Sequence, residues 1–465
     1  MIILGTNSIK DTGYNVANSL RFNTGSSDYL NRTATSGNRQ VATFSGWLKK
    51  CSNGVDTNRV FLEYNSGTNY FEIRWRDADN LRIYEELNGG TGFELITNRL
   101  FRDPSAWYHI VVAIDTTQGT AANRIKLYVN GVQETSFATE TYPSQNYNVQ
   151  MNVANKAVQI GAYSFSGSNY FNGYMSEMVW LDGTAASITD LGEFDSDSPT
   201  IWKPIDVSGL TFSTNGFYLD FEDSANLGND AAGSNNFTVN NLTATDQSTD
   251  TCTLNYTTLN FLAKSSYGDL SEGNLKFIGN TSSDNGNCET TFAMNKGKWF
   301  FEMKVVGDNA SYPRLGGGDA EIFGRSLNSV GGHVGHLTPS FSYQSSGLKY
   351  LNGDSSLSYG ASFGNNDIIS CALDLDNKAV YYYKNGSIQD SGTAMASGST
   401  YFGTEKYTFI GIATYPSGIG ALFNFGSPPY SESGGNSDGN GYGNYSMSVP
   451  SGYYSLNTKN LAEFG

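Results

Sequence analysis

Residues 109–131 (HIVVAIDTTQGTAANRIKLYVNG) and 368–386 (IISCALDLDNKAVYYYKNG) follow one plan: an apolar run, an acidic turn, an aromatic run and a closing Asn-Gly. Short apolar runs and apolar/polar alternation are strand signals, and Asn-Gly accepts the positive φ that a tight hairpin demands. Apolar residues at helical spacing hardly occur anywhere in the chain. The pattern predicts an all-β protein of two antiparallel β-sandwiches in series, with function carried on sandwich rims and loops.

The chain has 465 residues, enough for each half to bury its own core. Its 53 Gly, 30 Tyr and 27 Phe, with only 15% charged residues, suit short strands joined by tight turns. A formal charge of −16 and the absence of a Lys/Arg cluster argue against a nucleic-acid partner. The apolar runs are far shorter than the roughly 20 residues that cross a bilayer, and the opening MIILG is shorter than a secretory apolar region. Neither membrane insertion nor a signal peptide is expected. Cys51, Cys252, Cys288 and Cys371 lack CxxC spacing and read as free thiols, with Cys252–Cys288 the one conceivable bridge.

Residues 1–18 are short, polar and unpatterned, and read either as a flexible arm or as an anchoring peptide, a virion anchor, that orders only against a partner. From Ser19 a meander of short strands begins. In YFEIRWRD the period of two puts Phe71, Ile73 and Trp75 on the core face and Glu72, Arg74 and Arg76 on the other. Leu81 and Ile83 then point inward in the next strand, which leaves Arg82 and Tyr84 beside Arg74 and Arg76 on the outer face. That outer cluster is either a sugar platform or a solvated sheet face with charge pairs to Glu72 and Glu85.

The series SGWLKK, WYHIVVAID with LYVNG, and VQIGAYSFSGSNYFNGYMSEMVWLDG resembles a laminin-G-like, or concanavalin A-like lectin, domain. Trp47, Trp107, Asn130, Gly131, Gly161, Phe171, Gly173 and Trp180 occupy that family's recurring positions across residues 19 to about 185. With a closing extension the first domain is expected over 19–246, followed by a polar linker at 247–272. Residues 273–430 resemble a SPRY domain through GKWFFEMKVVG, PSFSYQSSGLKYLNG, the DLDN to YKNG hairpin and YTFIGIATYPSGIGALFNFG. Residues 431–465 comprise a Gly/Ser-rich segment and a C-terminal strand. The ending PSGY…LNTKNL, with the blocks before it, resembles proteins of marine bacteriophages. The resemblances imply jelly-roll, concanavalin A-like sandwiches and a virion component such as a tail fibre.

Sandwich glycosidases place carboxylates two and four apart on one strand, but here Tyr218 stands where Asp220 and Glu222 would need a third partner, so no enzyme is expected. His333 and His336 in a Gly-rich loop lack the helical spacing that converges two imidazoles on zinc, and His109 reads as a core-edge residue. The laminin-G resemblance leaves Ca²⁺ open on the RDADN loop through Asp77, Asp79 and Asn80, although turn chemistry accounts for the same residues. No other cofactor is expected. Tyr163, Phe165 and Tyr170 flank a Ser/Gly/Asn tip, and aromatic faces ringed by polar groups bind sugars; His336, Tyr343 and Tyr415 offer comparable chemistry in the SPRY half.

These readings converge on a non-enzymatic virion appendage at the particle surface, assembled in the host cytoplasm. It would bind a host cell-surface glycan through loops and dock on other virion proteins, as a homo-oligomer with a trimer among the options. The alternatives are a head decoration or head fibre without a glycan ligand, and a bacterial surface adhesin.

Overall fold

The computed structural model describes residues 13–55, 59–66, 68–163, 169–319, 334–336, 338–402 and 407–465. It divides into two compact units, Thr12–Thr253 and Leu254–Gly465. Each is built on two large sheets, antiparallel but for the pairing of Tyr454–Ser455 with Lys298–Val306, over its own aromatic core.

In the first unit, one sheet runs in the order Val132–Gln133, Ile125–Val129, Trp107–Asp115, Val41–Lys50, Gly173–Asp182, Ser19–Phe22 and Gln247–Ser248. The facing sheet runs Phe137–Thr141, Gly90–Leu100, Asn80–Leu87, Asn69–Trp75, Arg59–Ser66, Ala157–Ile160, Tyr29–Thr33 and Thr238–Asn240. Phe71, Ile73, Trp75, Leu81 and Ile83 all lie in the core between them, as the period of two requires. Trp180 stacks on Phe61 at 4.8 Å, and its indole N–H donates to Asn152 Oδ1 at 3.0 Å, so the ring is buried without orphaning its donor. The closing extension covers the outer side of the first sheet, where Val207 and Tyr218 pack on Val111, Val179 and Leu181.

The second unit has one sheet ordered Leu259–Lys264, Gly286–Thr290, Thr408–Thr414, Arg314–Asp319, Ser340–Gln344, Leu348–Leu351 and Asp354–Ser358. The other runs Gly268–Ser271, Lys276–Gly279, Gly420–Asn424, Lys298–Val306, Ile368–Asp374, Ala379–Lys384 and Ser387–Ile388.

Both Asn-Gly pairs form the expected hairpin turns, with positive φ at Asn130 and Gly131 and at Asn385 and Gly386. The two asparagines act alike: Asn130 N donates to His109 O at 2.9 Å while its Oδ1 accepts from His109 N at 2.8 Å, and Asn385 repeats both bonds with Ile368 at 2.8 Å. Each side chain thus supplies the acceptor that a further ladder residue would have supplied. Gly131 is required twice, since a Cβ there would stand 2.2 Å from the Trp202 ring.

Residues 247–272 differ from the expected linker. Gln247–Ser248 pairs with Ser19–Phe22, whereas Leu259–Lys264 and Gly268–Ser271 are strands of the second unit. Their Thr and Ser hydroxyls satisfy backbone groups that a free linker would leave to water: Thr251 Oγ1 donates to Val16 O at 3.1 Å, and Val16 N donates to Thr253 Oγ1 at 3.1 Å. The end of the chain also departs from expectation, because the short strand Tyr454–Ser455 is followed by a helix, Thr458–Phe464. Asn457 caps it by accepting from Asn460 N, Leu461 is buried, and Phe464 stacks on Tyr454 at 3.8 Å. All four cysteines are free thiols, so Cys252 and Cys288 are not bridged. Among the described residues no helix is long and apolar enough to cross a membrane.

Candidate functional site

Three cross-strand rows occupy the outward face of the second sheet of the first unit. Arg59, Arg74 and Arg82 form one row, Leu62, Glu72, Tyr84 and Glu94 the next, and Tyr64, Tyr70 and Glu86 the third. Like charges side by side in a sheet repel. Glu72, one row over, resolves the repulsion by facing all three arginines: Arg59 Nε at 2.9 Å, Arg74 Nε at 2.8 Å and Arg82 Nη1 at 3.3 Å. Arg82 also pairs with Glu94 at 2.6 Å and lies 3.5 Å above the Tyr84 ring. The third row adds aromatic edges. Tyr70 stands 5.8 Å from Tyr84 and 5.7 Å from Tyr163, and its hydroxyl donates to Glu86 at 2.9 Å. Burial, with the Glu72 and Glu86 carboxylates behind it, pushes the Tyr70 hydroxyl up, so it remains a donor.

This arrangement departs from both sequence readings, since the face is neither an open sugar platform nor solvated, although the expected charge pairs to Glu72 do form. Arg74 and Tyr84 do lie on the outward face, yet both are buried, and Glu72 is wholly so. Arg76 leaves the cluster altogether, because its strand ends at Trp75 and its backbone N–H turns to Asn80 O. Glu85, expected as a charge partner, instead accepts from Tyr147 and the Gln150 N–H, since the period of two that sends Ile83 inward sends Glu85 to the same face, opposite Phe71 and away from the arginines. What stays accessible is the tyrosine edge: Tyr64, Tyr163 and Tyr170 are half-buried, with Arg59 5.0 Å from the Tyr163 ring and Tyr170 6.1 Å from Tyr29. Phe165 and His333 lie outside the described residues.

The RDADN loop is occupied by protein cations. Asp79 pairs with Lys50 at 3.1 Å and Arg102 at 3.2 Å and accepts from Gly54 N, while Asp77 caps the turn by accepting from Ala78 N. These oxygens serve turn and ion-pair geometry, which is the alternative to a Ca²⁺ shell. Asp220 and Glu222 do not share a strand face either: the strand Phe217–Leu219 ends before them, Phe221 has φ +59°, and Asp220 Oδ1 accepts from Glu222 N. His109 is buried in a polar sandwich, its Nδ1 accepting from Trp202 Nε1 at 2.9 Å and its Nε2 2.8 Å from Ser45 Oγ. An indole N–H can only donate, so the proton of His109 sits on Nε2; burial pushes the ring down to about 3 and keeps it neutral.

In the second unit Tyr343 is core, against Tyr359, Phe363 and Tyr382, with its hydroxyl on Ala361 O. Tyr415 is pinned through its hydroxyl to Ser282 O at 3.1 Å, and only His336 of the expected trio is exposed. Sequence reasoning missed the cluster beside Tyr415: Arg314 lies 4.6 Å from the Tyr312 ring and 4.0 Å from the Tyr350 ring, and Tyr312 lies 5.7 Å from Tyr415. Tyr312 and Arg314 alternate within one short segment, a signal that could have been read, but Tyr350 reaches them only across strands.

Residues 23–187 match the family model of the concanavalin A-like lectin/glucanases superfamily, and residues 298–404 match that of the SPRY domain. The chain carries two β-sandwiches in series, the first matching the concanavalin A-like model and the second the SPRY model. Among solved structures, the SPRY domain of human HERC1 shares 15% identity over 36% of this chain and 94% of its own, with a TM-score of 0.29. A putative carbohydrate binding protein from Bacteroides ovatus shares 18% identity over 49% of this chain and 59% of its own, with a TM-score of 0.34. A heptameric SAP-like pentraxin from Limulus polyphemus shares 14% over 38% and 81%, with a TM-score of 0.28. Comparison with curated proteins finds no match. The concanavalin A-like unit contains every row of the Glu72 cluster, and the SPRY unit contains the Arg314 cluster.

Proposed function

We propose that this protein is a non-enzymatic glycan-binding component of a bacteriophage virion, with the tyrosine edge of the concanavalin A-like unit as its contact surface. The observation that carries the binding reading is the half-buried Tyr163 ring, held edge-on to Tyr70 and beside Arg59, which Glu72 in turn holds. A sugar ring stacks on an aromatic face that does not have to be ordered on binding, and the ion-pair network fixes the backs of these tyrosines. The virion setting rests on the order of sequence blocks through the chain and on the PSGY…LNTKNL ending. In this reading the protein is assembled in the host cytoplasm and displayed at the particle surface as a homo-oligomer.

The test is a host-polysaccharide binding assay with Tyr163→Ala and Tyr64→Ala. Each substitution is expected to weaken binding about tenfold, the equivalent of about 1.4 kcal/mol, within the range of a lost aromatic contact. Binding that is absent, or indifferent to both substitutions, would sink the assignment. Arg74→Ala is a poor probe, because it leaves Glu72 short of a buried partner and destabilises the sheet itself. A second reading, a head decoration without a ligand, is favoured by the pairing of Arg59, Arg74 and Arg82 with carboxylates of the protein itself. Gold-antibody labelling separates the two: label at the tail supports host recognition, label over the capsid supports decoration, and unlabelled particles overturn the virion assignment.

A further inference from the structure

We infer that the SPRY unit carries a separate subsite for a neutral monosaccharide unit, in the open cavity between the turns at 308–310, 345–346 and 362–363. The cavity is a shallow depression of about 380 Å³, widely open to solvent and lined by Asp308, Asn309, Ala310, Ser345, Ser346, Ser362 and Phe363. That volume falls within the ordinary range of small-ligand sites.

The three turns are tied to each other before any ligand arrives. Ser345 Oγ donates to Asn309 O at 2.8 Å, and Phe363 N donates to Ser345 O at 2.8 Å. Asn365 N donates to Asp308 Oδ1 at 2.7 Å, while Gly307 N donates to Asn365 Oδ1 at 3.0 Å. These bonds use one oxygen of Asp308 and, through Ser311 N, the carbonyl of the Asn309 side chain. The second Asp308 oxygen, the Asn309 amide nitrogen and the hydroxyls of Ser346 and Ser362 are not engaged in hydrogen bonds among the described residues. Together they offer an anionic acceptor, a fixed donor and two groups that do both. Ala310, with the edge of the largely buried Phe363 that Tyr343 braces at 5.0 Å, supplies the apolar surface.

A carboxylate beside an amide and an apolar patch suits a pyranose, which presents hydroxyls as donors and acceptors around a ring with C–H faces. Charge narrows the class. No Lys or Arg lines the cavity, and Lys384, whose Nζ donates to Ser362 O at 2.7 Å, is already paired with Asp367 at 3.1 Å. An acidic sugar would face Asp308 without a counter-ion. The same lining offers one carboxylate and too few fixed oxygens for a hard cation. The inference stands apart from the tyrosine edge of the first unit, and its test keeps the two distinct.

The experiment is saturation-transfer NMR on the full chain with the methyl glycosides of glucose, galactose, mannose and N-acetylglucosamine, and with N-acetylneuraminic acid as the anionic probe. At least one neutral glycoside is expected to receive saturation in the parent chain and in Tyr163→Ala. That signal should fall at least fivefold in Asp308→Asn, which removes the acceptor at constant shape, and in Ser362→Tyr, which fills the cavity from an exposed position. Three results overturn the subsite: no transfer to any neutral glycoside, transfer that survives both SPRY-unit variants, or preference for the anionic sugar. Loss in Tyr163→Ala alone would also overturn it, by assigning the sugar to the first unit.

Discussion

Glu177 shows how a single residue escapes sequence reasoning. It sits at a bulge in Gly173–Asp182, between the paired residues Ser176 and Val179, with φ +51°. The bulge breaks the period of two and turns the carboxyl to the outer side, where Tyr218 donates to it at 2.8 Å. Burial, with Asp220 and Glu222 adding to it, pushes Glu177 from 4.5 up to about 8. An acid that holds its proton more tightly folded than unfolded loses stability as pH rises between those two values. The cost reaches roughly 3–5 kcal/mol by pH 8. Glu177→Gln should therefore match the parent chain near pH 4 and exceed it in urea midpoint at pH 8; a parent midpoint as flat with pH as the variant's would refute this. Arg74 and Arg82 illustrate the converse limit. Alternation gave their face correctly, but their closure around Glu72 depends on Arg59 from a strand that local pattern does not align.

At the scale of elements, the Asn-Gly hairpins were fully legible, because the turn geometry is set by two adjacent residues and the asparagine completes the ladder locally. The tail was not. Residues 431–465 are poor in apolar side chains, yet they are held by carboxylates acting on backbone groups. Glu302 accepts from Ser446 N at 2.9 Å, Ser446 Oγ at 2.6 Å and Ser370 Oγ at 3.2 Å, and Asp438 accepts from Ser455 N and Asn460 Nδ2 at 2.8 Å. Tyr445 then fits edge-on against Phe300 at 5.0 Å. Glu302→Ala removes the acceptor for several buried donors at once, a loss of about 3 kcal/mol or more. The expected result is loss of hydrogen-exchange protection at Ser446 and Met447 while the strand Ile368–Asp374 stays protected. Unchanged protection at Ser446 would show that Glu302 does not hold the tail.

For the whole molecule, the division at Thr253 and Leu254 predicts that the two units fold independently, since each has its own aromatic core. Fragments 12–253 and 254–465, expressed apart, should each unfold cooperatively with a β-type circular dichroism spectrum. A fragment that fails to do so would show that its core needs the other. The sequence by itself determined the class of fold, the count of sandwiches, the inward face of the strands 69–75 and 80–87 and the hairpin turns. All of these are set by alternation and turn chemistry over a few neighbouring residues. Only the tertiary structure decided the assignment of residues 247–272 to strands, the closing of the arginine row, the neutrality of Glu177 and His109, and the cavity walled by Asp308 and Ser362. Those depend on which groups meet across strands, and hydrogen bonding, burial and charge pairing act between residues that are distant along the chain.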